Sequence, residues 1–343
     1  MKKYLAIILI LAAFSGANAQ LGSYAGSFAR MGFGARGLSM GNTLVSDRYG
    51  DVSGYYNPSL SCFQENGVVN LGYTFLSLDR KLNFVSFAKK FSLSGGKQTA
   101  GISLSWINAG VSDIDGRDND ARSIGMLGTY ENQFLMGMSI LVAPDLSVGV
   151  GFKLYYSKLY EEVTTTSVGF DAGFTYLASK DLSFGLAVRD LGVKYKWETT
   201  GQNVYGTSGT TSEEKFPVLV AFGGTYNLPK KLGLVSVGLD TYVNPRFETT
   251  DTLGIKSYSK RNYNFALKVG GEINLNDYVK IRAGIDRMDF KSDDFWGNIQ
   301  PGAGIGLTKS FTKDINIGLD YSFQIEPYTH KPAQNIGIAF KFK

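Results

Sequence analysis

From about residue 67 onward the chain alternates apolar residues with polar or small ones at a period of two. Ala100, Ile102, Leu104 and Trp106 alternate with Gly101, Ser103, Ser105 and Ile107. Leu146, Val148, Val150, Phe152, Leu154 and Tyr156 alternate with Ser147, Gly149, Gly151, Lys153, Tyr155 and Ser157. Val168 to Tyr176, Tyr263 to Leu275 and Ile336 to Phe342 repeat the theme. Side chains on a strand point to opposite faces in turn, so each segment has one oily face and one polar or small face. The pattern predicts 14 strands, at roughly 68–77, 81–91, 98–109, 126–140, 146–157, 165–177, 182–196, 216–226, 232–243, 262–274, 278–288, 298–308, 315–324 and 334–342.

Most of these segments exceed the ~5–6 residues of soluble strands and match the ~9–11 of a tilted strand crossing a bilayer. Their connections alternate in length. Short turns fall near 142–145, 178–181, 227–231, 275–277 and 309–314, and longer polar connections near 110–125, 197–215, 244–261, 289–297 and 325–333. Asp145-Leu146-Ser147, Asp181-Leu182-Ser183 and Asp314-Ile315-Asn316 are variants of one entry from turn to strand. A soluble sandwich would bury the oily faces inside, but it gives no reason for long strands or for two-sided loop asymmetry. A closed barrel in lipid, with apolar residues outward and polar residues inward, accounts for both. One segment breaks phase: Leu182, Phe184, Leu186 and Val188 are even, whereas Leu191, Val193, Tyr195 and Trp197 are odd. One extra residue near Asp190 restores the face, which predicts a β-bulge. It is an ordinary bulge near a rim or, on a sharper reading, a distortion that opens a lateral route.

The N-terminus adds a destination. Lys2 and Lys3, an apolar run from Tyr4 to Phe14 and Ala17-Asn18-Ala19 form a secretory signal peptide over 1–19, too short to be a transmembrane helix. Cys62, the only cysteine, is far from the cleavage site, so no lipoprotein is expected and neither a disulfide nor a cysteine-ligated zinc site can form. Removing Lys2 and Lys3 lowers the net charge from +5 to +3, which gives nucleic acid no basis. Glycine is 42 of 343 residues, well above the usual ~7%, and only 19% are charged, against ~25%. Both shifts suit a large β-structure with close backbone packing.

Residues 20–66 do not alternate. Phe28 to Asn42 holds four glycines and Arg30 and Arg36, and Tyr55-Tyr56-Asn57-Pro58-Ser59-Leu60 follows. Such a segment is too long for a leader into the first strand and predicts a compact plug inside the lumen. Arg30 and Arg36 could then pair with inward acids on the wall. Gly32 and Gly34 in G-x-G spacing lack the preceding strand and βαβ unit of a nucleotide site. The division is therefore signal peptide 1–19, plug 20–66 and barrel 67–343. The fold class is all-β: a 14-stranded antiparallel transmembrane β-barrel with an N-terminal plug segment, in the bacterial outer membrane.

The run Ala29-Arg30-Met31-Gly32, Gly34-Ala35-Arg36-Gly37, Met40-Gly41-Asn42 and Tyr55-Tyr56-Asn57-Pro58-Ser59-Leu60 resembles the N-terminal signature of the PorV/PorQ family of FadL-like outer-membrane barrels. Ser59 stands where that family commonly has Ala. The resemblance implies a non-enzymatic component of type IX secretion, acting with partner proteins and secreted cargo at the outer surface. Tyr205 and Phe247 would be apolar anchors in its external loops. It marks Arg30, Gly32, Gly34, Arg36, Gly37, Gly41, Asn57 and Pro58 as the plug motif. The alternative is FadL-like passive uptake of long-chain fatty acids or other hydrophobic ligands through the plugged lumen and a side opening.

Little else carries chemistry. His330, the only histidine, lies in a loop without a hydrolase motif around it. Asp113, Asp115, Asp118 and Asp120 are an oxygen-rich set that fits either a loose Ca²⁺ site or a solvated acidic loop. No cofactor and no metal are expected. The inward face carries Lys153, Asp171, Arg189, Asp240, Lys268, Glu272, Arg282, Asp286 and Asp320. Mixed signs suit charges that pair with each other or with a plug, not the single-sign ring of an open ionic pore.

Overall fold

A computed structural model describes residues 24–50, 52–93, 95, 98–160, 163–198, 211–246, 248–250, 256–259, 262–289, 295–326 and 331–342. The expected signal peptide lies outside the described residues.

The alternating segments become β1 (Gly67–Phe75), β2 (Lys81–Leu93), β3 (Gln98–Arg117), β4 (Ser123–Ala143), β5 (Leu146–Tyr160), β6 (Val163–Leu177) and β7 (Leu182–Leu191). There follow β8 (Lys194–Glu198), β9 (Thr211–Lys215), β10 (Val218–Asn227), β11 (Gly233–Val243), β12 (Glu248–Thr250) and β13 (Lys256–Tyr258). The last are β14 (Tyr263–Asn274), β15 (Val279–Met288), β16 (Gln300–Ser310), β17 (Ile315–Ile325) and β18 (Pro332–Phe342). Fourteen of them close an antiparallel barrel in the order β1–β7, β10, β11 and β14–β18, and β18 pairs back onto β1. At that seam Val69 faces Phe340 and Leu71 faces Ile338. Closure gives every barrel strand a paired neighbour on both sides, the arrangement a hydrocarbon environment demands. The other four strands form two separate hairpins, β8–β9 and β12–β13.

Outward positions expose Leu104, Met136, Val150, Phe170, Phe222 and Leu319, an apolar belt around the wall that lipid, not water, would cover. β3 and β4 run for 20 and 21 residues, beyond what a bilayer requires. The acidic stretch near 110–125, expected as a loop, is therefore mostly the tip of this long hairpin.

The segment before β1 sits inside the barrel as short helical turns: Ser27–Arg30, Ala35–Ser39, Leu44–Ser46, Ser53–Tyr56 and Pro58–Phe63. Its backbone lies directly on the inner wall, where inward positions are glycine. A Cβ on Gly149 would sit 2.5 Å from the Ser59 nitrogen, and one on Gly284 would sit 2.3 Å from the Met40 carbonyl carbon. Gly101, Gly185 and Gly270 meet plug backbone in the same way. The glycine excess is thus largely a seat for the plug.

The belt gives a direct test. The folded chain should resist SDS at room temperature, shift mobility on boiling and give a β-type circular dichroism spectrum. A detergent-free soluble monomer would contradict the lipid-facing wall.

Candidate functional site

The plug is fixed to the wall by its polar groups. Asn57 accepts from the Ser59 N–H at 3.0 Å, capping the turn Pro58–Phe63. Its amide donates to the Val45 carbonyl at 2.9 Å and to the Phe174 carbonyl of β6 at 3.1 Å. Ser59 and Thr175 of β6 share a hydroxyl contact of 2.6 Å. Asn-Pro-Ser therefore ties plug to plug and plug to wall in one step. Among the other motif residues, Gly32, Gly34 and Gly41 take left-handed φ. Gly37 lies under the Tyr56 hydroxyl, which also donates to Asn42 at 2.7 Å.

Three buried charge clusters line the lumen. Near the short-turn end, Arg36 pairs with Asp47 of the plug and, at 2.9 Å, with Glu272 of β14. Glu272 also receives Arg282 at 2.7 Å, and Arg282 pairs with Asp320. Midway, Lys268 holds Asp240 at 2.5 Å and faces Asp286 at 3.7 Å, while Asn42 donates to Asp286 at 2.8 Å. The third cluster joins Lys153 of β5 to Asp171 of β6 at 2.9 Å and to Asp190 of β7 at 2.6 Å. Tyr155 also donates to Asp190, at 2.7 Å. Beside it, the Arg189 guanidinium lies 4.2 Å from the Tyr55 ring centre. The expected pairing of Arg36 with a wall acid is present. Arg30 instead donates to the Ala25 carbonyl at 2.8 Å and covers the Phe216 ring.

The expected bulge is present at Asp190, with φ 63° and its N–H given to Asp171 at 2.9 Å. Its consequence differs from the expectation. The sequence places Val193 and Tyr195 back on the lipid face within a strand 182–196, with Trp197 next in the same phase. In the structure the wall strand ends at Leu191, and all three side chains turn into the lumen. There they pack with Phe28, Tyr155 and Phe216. The ring centres of Tyr155 and Phe216 are 5.0 Å apart, and those of Tyr195 and Phe216 are 4.9 Å apart. β6 pairs with β7 only from Phe170 to Leu177, and no described strand pairs with Val163–Gly169 on that side. The wall's ladder is thus broken beside an aromatic patch that continues the buried apolar cluster of plug and wall. Alternation alone hides this patch. The phase change and Pro217 are the signals that a strand leaves the wall.

A void of about 20 Å³ between Arg30, Arg189 and Lys268 has room for little more than a water molecule. Toward the short turns a vestibule of about 760 Å³ opens, with Arg36, Arg48, Lys180, Lys280, Glu272 and Asp320 among its lining. The acidic tip does not assemble a cation site: Asp115 holds Arg117 at 2.7 Å, and Asp118 accepts the Asp120 and Arg122 amides. Tyr205, Phe247 and His330 lie outside the described residues.

No protein-family model matches the chain, and no curated protein matches it. Solved structures do. A Pseudomonas putida toluene transporter, TodX, aligns over 91% of this chain and 97% of its own at 12% identity, with a TM-score of 0.59. A TodX deltaS2S3 mutant, described as a monoaromatic hydrocarbon channel, aligns over 91% and 99% at 13% identity, with a TM-score of 0.60. A Pseudomonas aeruginosa FadL homologue aligns over 91% and 98% at 11% identity, with a TM-score of 0.58. At such identity the likeness establishes the fold: a 14-stranded barrel of the outer membrane.

The comparisons overturn the PorV/PorQ resemblance and, with it, type IX secretion components and secreted cargo as partners. The physical reason lies in the motif. Its Gly32, Gly34 and Gly37 pack against Asn42, Val52 and Tyr56 of the plug itself, and Gly41 and Asn57 meet the wall. Those residues serve the folding and seating of a plug, which does not single out a secretion role.

The buried clusters predict large, local effects. Lys153→Met leaves Asp171 and Asp190 facing each other without their cation and should lower stability by roughly 3–5 kcal/mol in urea unfolding from vesicles. The exposed Lys309→Met should leave stability unchanged. Burial pushes the Cys62 thiol above its ordinary pKa, with the Ser147 hydroxyl opposing the rise. Iodoacetamide at pH 8 should therefore spare Cys62 in the folded barrel and label it after unfolding.

Proposed function

We propose that the protein is a non-catalytic outer-membrane channel for small hydrophobic molecules. The observation that carries this reading is the wall break at β7. It puts an aromatic patch of Phe28, Tyr155, Val193, Tyr195, Trp197 and Phe216 next to a break in the wall's hydrogen-bond ladder. A polar solute gains nothing from such a lining, whereas an apolar one exchanges lipid or water for aromatic surface. The named functions of the structural neighbours, a toluene transporter and a hydrocarbon channel, support the same reading. The charges below the patch pair wall strands with one another and, through Arg36, the wall with the plug. Because both signs are present and matched, they offer no selective path for ions. The vestibule beneath the plug is the exit to the periplasm.

Passage should be measured in vesicles whose outer leaflet is lipopolysaccharide, a saccharide layer that apolar solutes cross slowly. Vesicles carrying the protein should take up toluene severalfold faster than empty ones, with no gain for a monosaccharide. Equal toluene entry with and without the protein, or equal gains for toluene and sugar, would overturn the channel reading.

A further inference from the structure

We propose that the β8–β9 hairpin is a two-position gate, and that in this structure its own aromatic side chains occupy the chamber a hydrophobic solute would enter. The inference rests on the channel reading only for the identity of that solute.

The hairpin is the upper part of the wall hairpin β7–β10, folded inward. The Phe216 N–H bonds the Val193 carbonyl at 3.1 Å, carrying the ladder across the fold. β7 pairs Arg189 with Leu219, a register in which Lys194 would meet Glu214. In the hairpin Lys194 meets Lys215 instead, so the two registers differ by one residue. That residue is the bulged Asp190. Gly192, at φ 80°, follows it, and Pro217 interrupts the partner strand at the same level. These three form the hinge. Lys153, Asp171 and Tyr155 pin its wall side through Asp190.

Beyond the hinge, the edge of β8 rests on side chains where a wall strand would have a ladder. The amides of Lys194 and Lys196 donate to the hydroxyls of Ser167 and Thr165, each at 3.1 Å. The matching stretch of β6, Val163–Gly169, is the one without a described partner on that side. Two strand edges of similar length thus lie side by side without a backbone ladder between them.

Extending the ladder from its last pair, Phe170 with Leu191, would set Val168 opposite Val193, Thr166 opposite Tyr195 and Thr164 opposite Trp197. Val168, Thr166 and Thr164 are exposed on the outside of the wall. Residues paired across antiparallel strands share a face. In the wall position Val193, Tyr195 and Trp197 would therefore face outward, with Tyr and Trp toward the outer rim, where such rings sit in barrels. Moving them from lumen to acyl chains forfeits little, because lipid is as apolar as the interior they leave. New ladder hydrogen bonds offset the lost hydroxyl contacts. The vacated space is bounded by Phe28, Ala29 and Tyr155, with Glu131, now held by the Tyr195 hydroxyl at 3.2 Å, on one side. It suits a small aromatic or aliphatic solute.

Two cysteine pairs, each in a Cys62→Ser background, distinguish the positions. A Cβ on Gly169 would stand 3.7 Å from the Val193 Cβ, within disulfide reach. Gly169→Cys with Val193→Cys should therefore link in the inward position. The oxidised protein should stay heat-modifiable, and its toluene entry should fall to that of empty vesicles and return on reduction. Thr166→Cys with Tyr195→Cys points apart in this structure and should link only when the hairpin joins the wall, with toluene entry at least as fast as in the unsubstituted protein. The gate is overturned if that second pair never links while each single cysteine remains reactive. It is also overturned if the oxidised first pair passes toluene at the unsubstituted rate. If the second pair links but the unsubstituted protein admits no toluene, the gate stands and the channel reading falls.

Discussion

The direct contact between plug backbone and wall backbone governs this molecule. It exists because the wall carries glycine where the two meet, as at Gly149 beneath Ser59 and Gly284 beneath Met40. Any side chain there would displace the plug by more than the gap available. Once the plug lies this close, polar groups at the contact are buried, and a protein partner is what offsets their lost hydration. Asn57 and the Arg36–Glu272 pair follow from that demand.

The same constraint explains why the break at β7 matters. A strand leaving a barrel in lipid abandons ladder hydrogen bonds, a costly step unless the freed groups are satisfied otherwise. Here the hydroxyls of Ser167 and Thr165 take two of the amides, and Lys153 neutralises the carboxylates at the hinge. The inward-folded hairpin packs Tyr195 and Trp197 into a cluster with Phe28 of the plug, Tyr155 of β5 and Phe216. Plug and wall break therefore share one buried apolar cluster.

Much of this was legible in the residues. Alternation placed all fourteen wall strands, and the phase change at Asp190 located the bulge. The inward charged positions emerged from the same period, including the Glu272 that meets Arg36. What alternation could not show is direction after a bulge. Val193, Tyr195 and Trp197 have the pattern of a lipid face, and the same three side chains serve equally well against Phe28 and Tyr155. Pattern reports that a face is apolar but not which apolar medium covers it. The family reading went astray for a related reason: Gly and Asn-Pro report how a plug is seated, whereas function depends on what lines the path beside it. The acidic tip was misjudged in length because β3 and β4 continue as strands past the bilayer, where polar residues no longer break the hairpin.

The central claim, that hydrophobic molecules occupy the aromatic site at the wall break, is tested most directly by locating one there. Crystals of the detergent-solubilised barrel soaked with iodobenzene would show iodine by anomalous scattering. The account predicts a peak beside Phe28 and Tyr155, with Tyr195 and Trp197 displaced from their present positions. Iodine found only along the lipid-facing belt, with the aromatic cluster unmoved, would contradict it.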